Sequence, residues 1–188
     1  MGKLVYSIIV SLDGYIEDSG GNFDWGEPNE DAHRFFNELE SNTALTLYGR
    51  KMYETMSVWE HFGKQEGLPD YIMDFARIWK AGRKIVFSTT LESVGTSNTT
   101  LRHSFAASEI AALKEGTQGD IGIGGAGIAS SALAMGLLDE VCLFVFPVLV
   151  GGGKKWITGD RLNTLRLVET RQFDGGVLML RYRISHAA

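Results

Sequence analysis

The sequence predicts an α/β fold: a mixed, mostly parallel sheet flanked by helices and closed by a C-terminal antiparallel hairpin. Three observations lead there. From residue 3 to residue 136, short β-branched runs alternate with segments whose apolar residues recur at three- and four-residue spacing. The run "EVCLFVFPVLV" (140–150) is apolar on both faces, which suits a central strand. The last two runs, "LRLVETRQF" and "VLMLRYRI", are joined by Asp174-Gly175-Gly176, a hairpin signal. With 188 residues and 44% hydrophobic content, the chain has enough material for one well-buried core and is short for two, so residues 1–188 read as a single domain.

Residues 3–10 form a buried strand ended by the turn-forming Asp13-Gly14. Residues 17–29, rich in Gly, Asn, Asp and Pro, read as a long loop, and loops of that length inside a compact domain are often functional. From Glu30 the period changes: Ala32, Phe35, Phe36 and Leu39 share one face of a helix that Asn29 caps. A strand at 43–48 leads through Gly49 into the short helix "RKMYETM". Leu68, Ile72, Phe75 and Trp79 mark a further helix, and 84–88 a strand. Residues 105–115 are helical with Ile110 and Leu113 inward, "DIGIG" (120–124) is a strand, and "AGIASSALAM" a helix that Gly136 ends. No internal repeat or low-complexity linker interrupts the pattern.

A net charge of −5 without a Lys/Arg cluster removes the electrostatic basis for binding nucleic acid or an anionic membrane surface. No apolar run approaches the ~20 residues that span a bilayer. The start "MGKLVYSIIV" lacks a small-residue cleavage site, and Tyr6 stands where myristoylation favours Ser or Thr, so a soluble protein is expected. Cys142, the single cysteine, lies in an apolar run and reads as a buried structural thiol in a cytoplasmic protein. His33, His61, His103 and His186 show no paired metal-ligand spacing, so no metal site is expected.

Gly122, Gly124 and Gly127 are spaced GxGxxG, the spacing of a dinucleotide fingerprint. The rest of a Rossmann unit is missing. An acidic residue should end the next strand about 20 positions on, but Cys142 stands there in mid-strand, and most of a domain precedes the motif. What survives is local: glycines let a backbone approach a phosphate, and the following helix offers free N–H groups. Tight strand-to-helix packing explains the same glycines equally well. Gly49 opens a helix with Arg50 and Lys51, two cations facing the positive end of its dipole, a conflict that a bound anion removes. The hydroxyls of "FSTT" (87–90) end another strand and suit a further phosphate oxygen, or simply a loop.

Together, "YSIIVSLDGYI", "LTLYGRKMYETM", "KIVFSTTL", "GIGGAGIASSALAMGLLDEV" and "FPVLVGGGKKW" resemble the dihydrofolate reductase superfamily, in particular the reductase domain at the C-terminus of the riboflavin-pathway deaminase-reductase and its stand-alone relatives. The resemblance spans nearly the whole chain. It implies a dihydrofolate reductase-like sheet that binds NADPH. Gly124 and Gly125 would face the pyrophosphate, with a cis peptide between them, and Ala126, Gly127 and Ile128 would follow at the helix start. Gly49, Arg50 and Lys51 would lie at the adenosine phosphates, and Ser88 and Thr89 at the 2′-phosphate. It also implies a homodimer. Two departures bear on the substrate: no deaminase domain is present, and Ile123 stands where the riboflavin enzymes usually carry Glu before the paired glycines.

The expected activity is NADPH-dependent reduction of a small heterocyclic or carbonyl compound. The substrate is placed between the 11–25 loop and the first helix, with Phe23 or Trp25 closing over it, Phe35 beside it, and Asp31, Glu30 or Asp13 as candidate acids. Asp31 with Phe35 at i+4 matches the acid and aromatic of dihydrofolate reductase; Asp31 is equally a favourable first-turn acid. Competing readings are a non-catalytic nucleotide-binding module and a riboflavin-pathway pyrimidine reductase. A carboxylate in place of Ile123 would offer hydrogen bonds to a polyhydroxylated substrate, so the isoleucine points to a smaller, less polar one.

Overall fold

Apolar runs such as "LVYSIIVS" and "EVCLFVF" become strands because a sheet buries both of their faces, and here eight strands line up. The computed structural model describes residues 1–62 and 67–185. The strands are β1 (Leu4–Ser11), β2 (Tyr15–Glu17), β3 (Thr43–Gly49), β4 (Lys84–Phe87), β5 (Thr99–Arg102), β6 (Asp120–Gly124), β7 (Glu140–Phe146), β8 (Lys154–Lys155), β9 (Thr164–Gln172) and β10 (Leu178–Ser185). The helices are α1 (Glu30–Ser41), α2 (Arg50–Met56), α3 (Trp59–Phe62), α4 (Asp70–Ala81), α5 (Ala107–Gly116) and α6 (Ala126–Ala134). The main sheet runs β5-β4-β3-β6-β1-β7-β10-β9. Its first six strands pair in parallel, and β10 is antiparallel to both β7 and β9. The predicted class and the closing hairpin are what the structure shows.

The helices divide between the two faces because successive side chains of a strand point to opposite sides. Leu47 and Ile121 face α5 and α6, whose Ile110, Ala129 and Ala132 are buried against them. On the other face α1 covers β1, β7 and β10 through Ala32, Phe35 and Phe36. There Tyr48 and Val86 pack with Tyr53 and Trp79, on the side of α2 and α4. β7 is central, as its composition predicts, and Pro147 ends it, since proline has no N–H to give the ladder. Asn29 caps α1 as expected, its side chain accepting from the Ala32 N–H.

Several expectations need correction. The 17–29 segment is not all loop: Tyr15–Glu17 pairs with Lys154–Lys155, and Asp24–Gly26 makes a 3-10 turn. α4 begins at Asp70, so Leu68 precedes it. Helix α3 and strands β5 and β8 carry no apolar periodicity and were not foreseen. Cys142 is buried as predicted, and burial pushes its thiol up to about 12. At the N-terminal ends of the central strands, buried Glu140 accepts from Lys3, Arg181 and Arg183. That edge of the sheet is closed by ion pairs.

Candidate functional site

The opposite edge is built from turns. Phe87 lies beside Gly49, and Tyr48 beside Gly124, so β4, β3 and β6 end side by side. The predicted segments Ser88-Thr89, Gly49-Arg50-Lys51 and Gly124-Gly125 are thereby brought together at the carboxyl ends of three parallel strands, where open α/β sheets bind ligands. β6 stops at Gly124, and it pairs with β1 only at Leu4 and Val5. β1 runs on with β7 as far as Ser11, opposite Phe146. β1 therefore extends beyond the level at which β6 ends in the paired glycines.

The glycines of the fingerprint have different reasons to be there. A Cβ on Gly124 would lie 2.7 Å from the Tyr48 ring, so packing accounts for it. Gly125 has φ 110°, and this reverses the chain; its bond to Gly124 is trans, so the implied cis peptide is absent. A Cβ on Gly125 would also lie 3.7 Å from the Gly49 nitrogen, so the openings of α2 and α6 abut. Gly127 is exposed, and a Cβ there would meet nothing within 4 Å. Ala126 is buried, and the Ile128 side chain packs on the core and beside Gly49, where a Cβ would lie 3.4 Å from its Cγ2. Gly49 and Gly125 lend no side chain to cap α2 and α6, which leaves first-turn N–H groups without an intrahelical partner.

Among the polar candidates, Arg50 is exposed and pairs with Glu54 at 3.2 Å, and Lys51 is exposed with no ion pair among the described residues. The Ser88 hydroxyl is occupied: its oxygen accepts from the N–H groups of Thr90 and Leu91 at 3.1 and 3.0 Å. Thr89 remains exposed. Sequence reasoning missed β5, whose end places Arg102 and His103 beside Ser88.

On the substrate side the three acids separate. Asp13 accepts from Ser11 Oγ at 2.7 Å and from the N–H groups of Val150 and Gly151 at 3.1 and 2.7 Å. These bonds, Ser11 first, hold its carboxyl down at about 2 and staple the ends of β1 and β7. It is no proton donor near neutral pH. Asp31 accepts from the Ala32 and Asp174 N–H groups at 2.7 and 3.0 Å, tying α1 to the hairpin turn. Glu30 is exposed and, among the described residues, binds only Arg34. A cavity of about 410 Å³ lies among Asn29, Glu30, Asp31, Arg34 and Asp174.

The aromatics separate as well. Phe35 packs against Phe144 and Phe173, at 6.1 and 5.4 Å between centroids, and is a core residue. Trp25 meets Phe146 edge-on, and its buried Nε1 has no partner. Phe23 is exposed, as are Leu12 and Leu149 just beyond the ends of β1 and β7, two apolar residues the sequence reading passed over. Ile123 corrects a premise: it is 3% exposed and faces the core, so it does not read the substrate. No set of three His, Cys, Asp or Glu side chains suited to a metal ion occurs among the described residues; His186 lies outside them. No described helix is long and apolar enough to cross a membrane.

The profile of the RibD C-terminal domain family matches residues 2–179. An uncharacterised Bacillus subtilis protein, YyaP, is 29% identical over 185 residues, covering 96% of this chain and 94% of its own. Among solved structures, a protein ascribed to riboflavin biosynthesis in Shewanella sp. PV-4 superposes with a TM-score of 0.77 at 20% identity, over 98% of this chain and 99% of that one. Dihydrofolate reductase from Enterococcus faecalis, complexed with NADP(H), superposes with a TM-score of 0.61 at 16% identity, over 98% of each chain. At such identities these two structures speak for the fold, which is dihydrofolate reductase-like.

Proposed function

The chain belongs to the RibD C-terminal domain family, and on that footing we propose that it is an NADPH-dependent reductase of a small heterocyclic or carbonyl compound. The observation that carries this reading is the register that sets Gly49, Phe87 and Gly124 at one edge, with β1 running on beyond them. The residues fit the cofactor: Gly127 is open to solvent, two helix openings lack caps, and Arg50, Lys51 and Thr89 stand exposed nearby. NADPH, when bound, supplies the hydride.

The chain's own part is to bind and orient. The N–H groups that open α2 and α6 hold the pyrophosphate, and Arg50 and Lys51 neutralise it. The substrate lies above β1 against the 3-10 turn, where the orphaned Trp25 N–H gains an acceptor. Leu12, Phe23 and Leu149 present apolar surface at that mouth. Glu30 moves the proton, because its carboxyl, unlike those of Asp13 and Asp31, is bound to no backbone group.

Family membership favours a second reading, reduction of the ribosylamino-pyrimidine of riboflavin synthesis; with Ile123 in the core, the objection based on that residue no longer stands. Nicotinamide fluorescence tests the cofactor: NADPH should bind more tightly than NADH, and equal affinity, or no binding of either, overturns the assignment. NADPH oxidation with small carbonyls, dihydrofolate and the ribosylamino-pyrimidine then separates the substrates. Tight binding with no turnover of any compound points to a nucleotide-binding module.

A further inference from the structure

β5 ends level with β4. Phe87 is paired with Arg102, the Ser88 N–H donates to the Arg102 carbonyl at 2.9 Å, and His103 Nδ1 lies 3.0 Å from the Ser88 carbonyl oxygen. A carbonyl oxygen can only accept, so Nδ1 is the protonated nitrogen of this imidazole. Its Nε2 is then an acceptor in the neutral ring and a second donor in the imidazolium. His103 is exposed, and among the described residues Nε2 has no hydrogen-bond partner. The groups around it are few. Arg102 precedes it and pairs with Glu109 of α5 at 3.4 Å, the Ser88 hydroxyl is held by its own turn, and Thr89 and Thr90 are uncharged.

We propose that His103 reads the 2′-phosphate of the cofactor through Nε2 and so sets the preference for the phosphorylated dinucleotide. This rests on the cofactor assignment above and deepens it. The resemblance places Ser88 and Thr89 at that phosphate, but the Ser88 hydroxyl oxygen is already occupied, while the Ser88 carbonyl orients the exposed His103 ring. In the imidazolium, Nε2 donates a charge-assisted bond to the phosphate; in the neutral ring it turns a lone pair toward the same anion.

The test compares dissociation constants for NADP⁺ and NAD⁺, followed by quenching of tryptophan fluorescence at one pH and ionic strength. The probes are the native chain, His103→Gln and His103→Arg. His103→Gln should lose about tenfold of the native NADP⁺ preference, the scale of one hydrogen bond to a charged group, and His103→Arg should keep or raise that preference. A His103→Gln variant with the native preference overturns the proposal and leaves the cofactor assignment standing. Failure of the native chain to bind either nucleotide overturns both.

Discussion

Trp25 holds the only buried side-chain polar atom without a partner among the described residues. A buried N–H left unsatisfied costs about 1–3 kcal/mol, and such a group in a folded protein calls for a reason. A substrate acceptor is that reason if the site lies where we place it. Trp25→Phe keeps most of the ring against Phe146 and removes the donor, so the melting temperature should hold or rise, NADPH affinity should be unchanged, and KM for the substrate should rise. A fall in melting temperature with KM unchanged would make the indole a packing residue only. Asp13 shows the opposite case, a polar group fully engaged. Its carboxyl sits at about 2 in the fold, below the unfolded value near 3.9, so its contribution to stability is complete above about pH 4 and is lost as pH falls toward 2. Asp13→Asn should therefore be less stable than the native chain at neutral pH and should lose less between pH 4 and 2, read as melting temperature against pH.

At the scale of elements, the turn from β6 into α6 separates binding from folding. Gly124→Ala drives a methyl into the Tyr48 ring, and any side chain at Gly125 is strained at φ 110°, so either substitution disturbs the turn itself. Gly127→Glu sets its Cβ where no other atom lies within 4 Å and adds a negative charge to the first turn of α6. It should leave the unfolding free energy within about 1 kcal/mol of native and weaken NADPH binding; unchanged affinity would remove the α6 opening from the site. The α1–α4 seam makes a pH prediction. His33 of α1 is 6% exposed, its ring 5.1 Å from Tyr71 and 5.4 Å from Phe75, and burial lowers its pKa against the opposing bond to Asn37. With the folded value below the unfolded one near 6.5, stability is complete above that pH and is lost as pH falls through the lowered value. His33→Leu should flatten melting temperature against pH between about 7 and 5, and an unchanged slope would place the titration elsewhere. Which elements and residues the sequence revealed follows from physics. Apolar periodicity exposed β1, α1, α4 and the hairpin, and glycine and hydroxyl signals exposed the three turns of the cofactor edge. The edge strand β5, "TTLR", has no such signal, so nothing in the sequence places His103 at the cofactor edge. The ties of Asp13 to Val150 and of Asp31 to Asp174 span 137 and 143 residues, which no local pattern encodes.

At the scale of the molecule, the two faces of β9 and β10 differ in charge. One carries Arg166, Glu169, Arg171, Arg181 and Arg183, while the other presents Leu165, Leu167, Thr170 and Gln172 opposite Ile184, Tyr182, Leu180 and Leu178, with no charge. The uncharged face lies on the side of α5 and α6, which cover the far half of the sheet and leave Leu165, Leu167 and Leu178 38%, 50% and 43% exposed. Strand addition at the β9 edge is disfavoured by the irregularity between Arg181 and Tyr182 and by the charges beside it. The homodimer that the resemblance implies would seat a second copy of the chain on this face. A two-fold contact sets a patch against itself, and for a chain of net charge −5 an uncharged patch is where like-charge repulsion is least concentrated. Light scattering should therefore find a dimer. Leu167→Glu, at an exposed position that the fold tolerates, should give a folded monomer, whereas Arg166→Glu on the opposite face should leave the dimer intact. A native monomer at tens of micromolar, or a dimer indifferent to Leu167→Glu, would rule out this face as the interface.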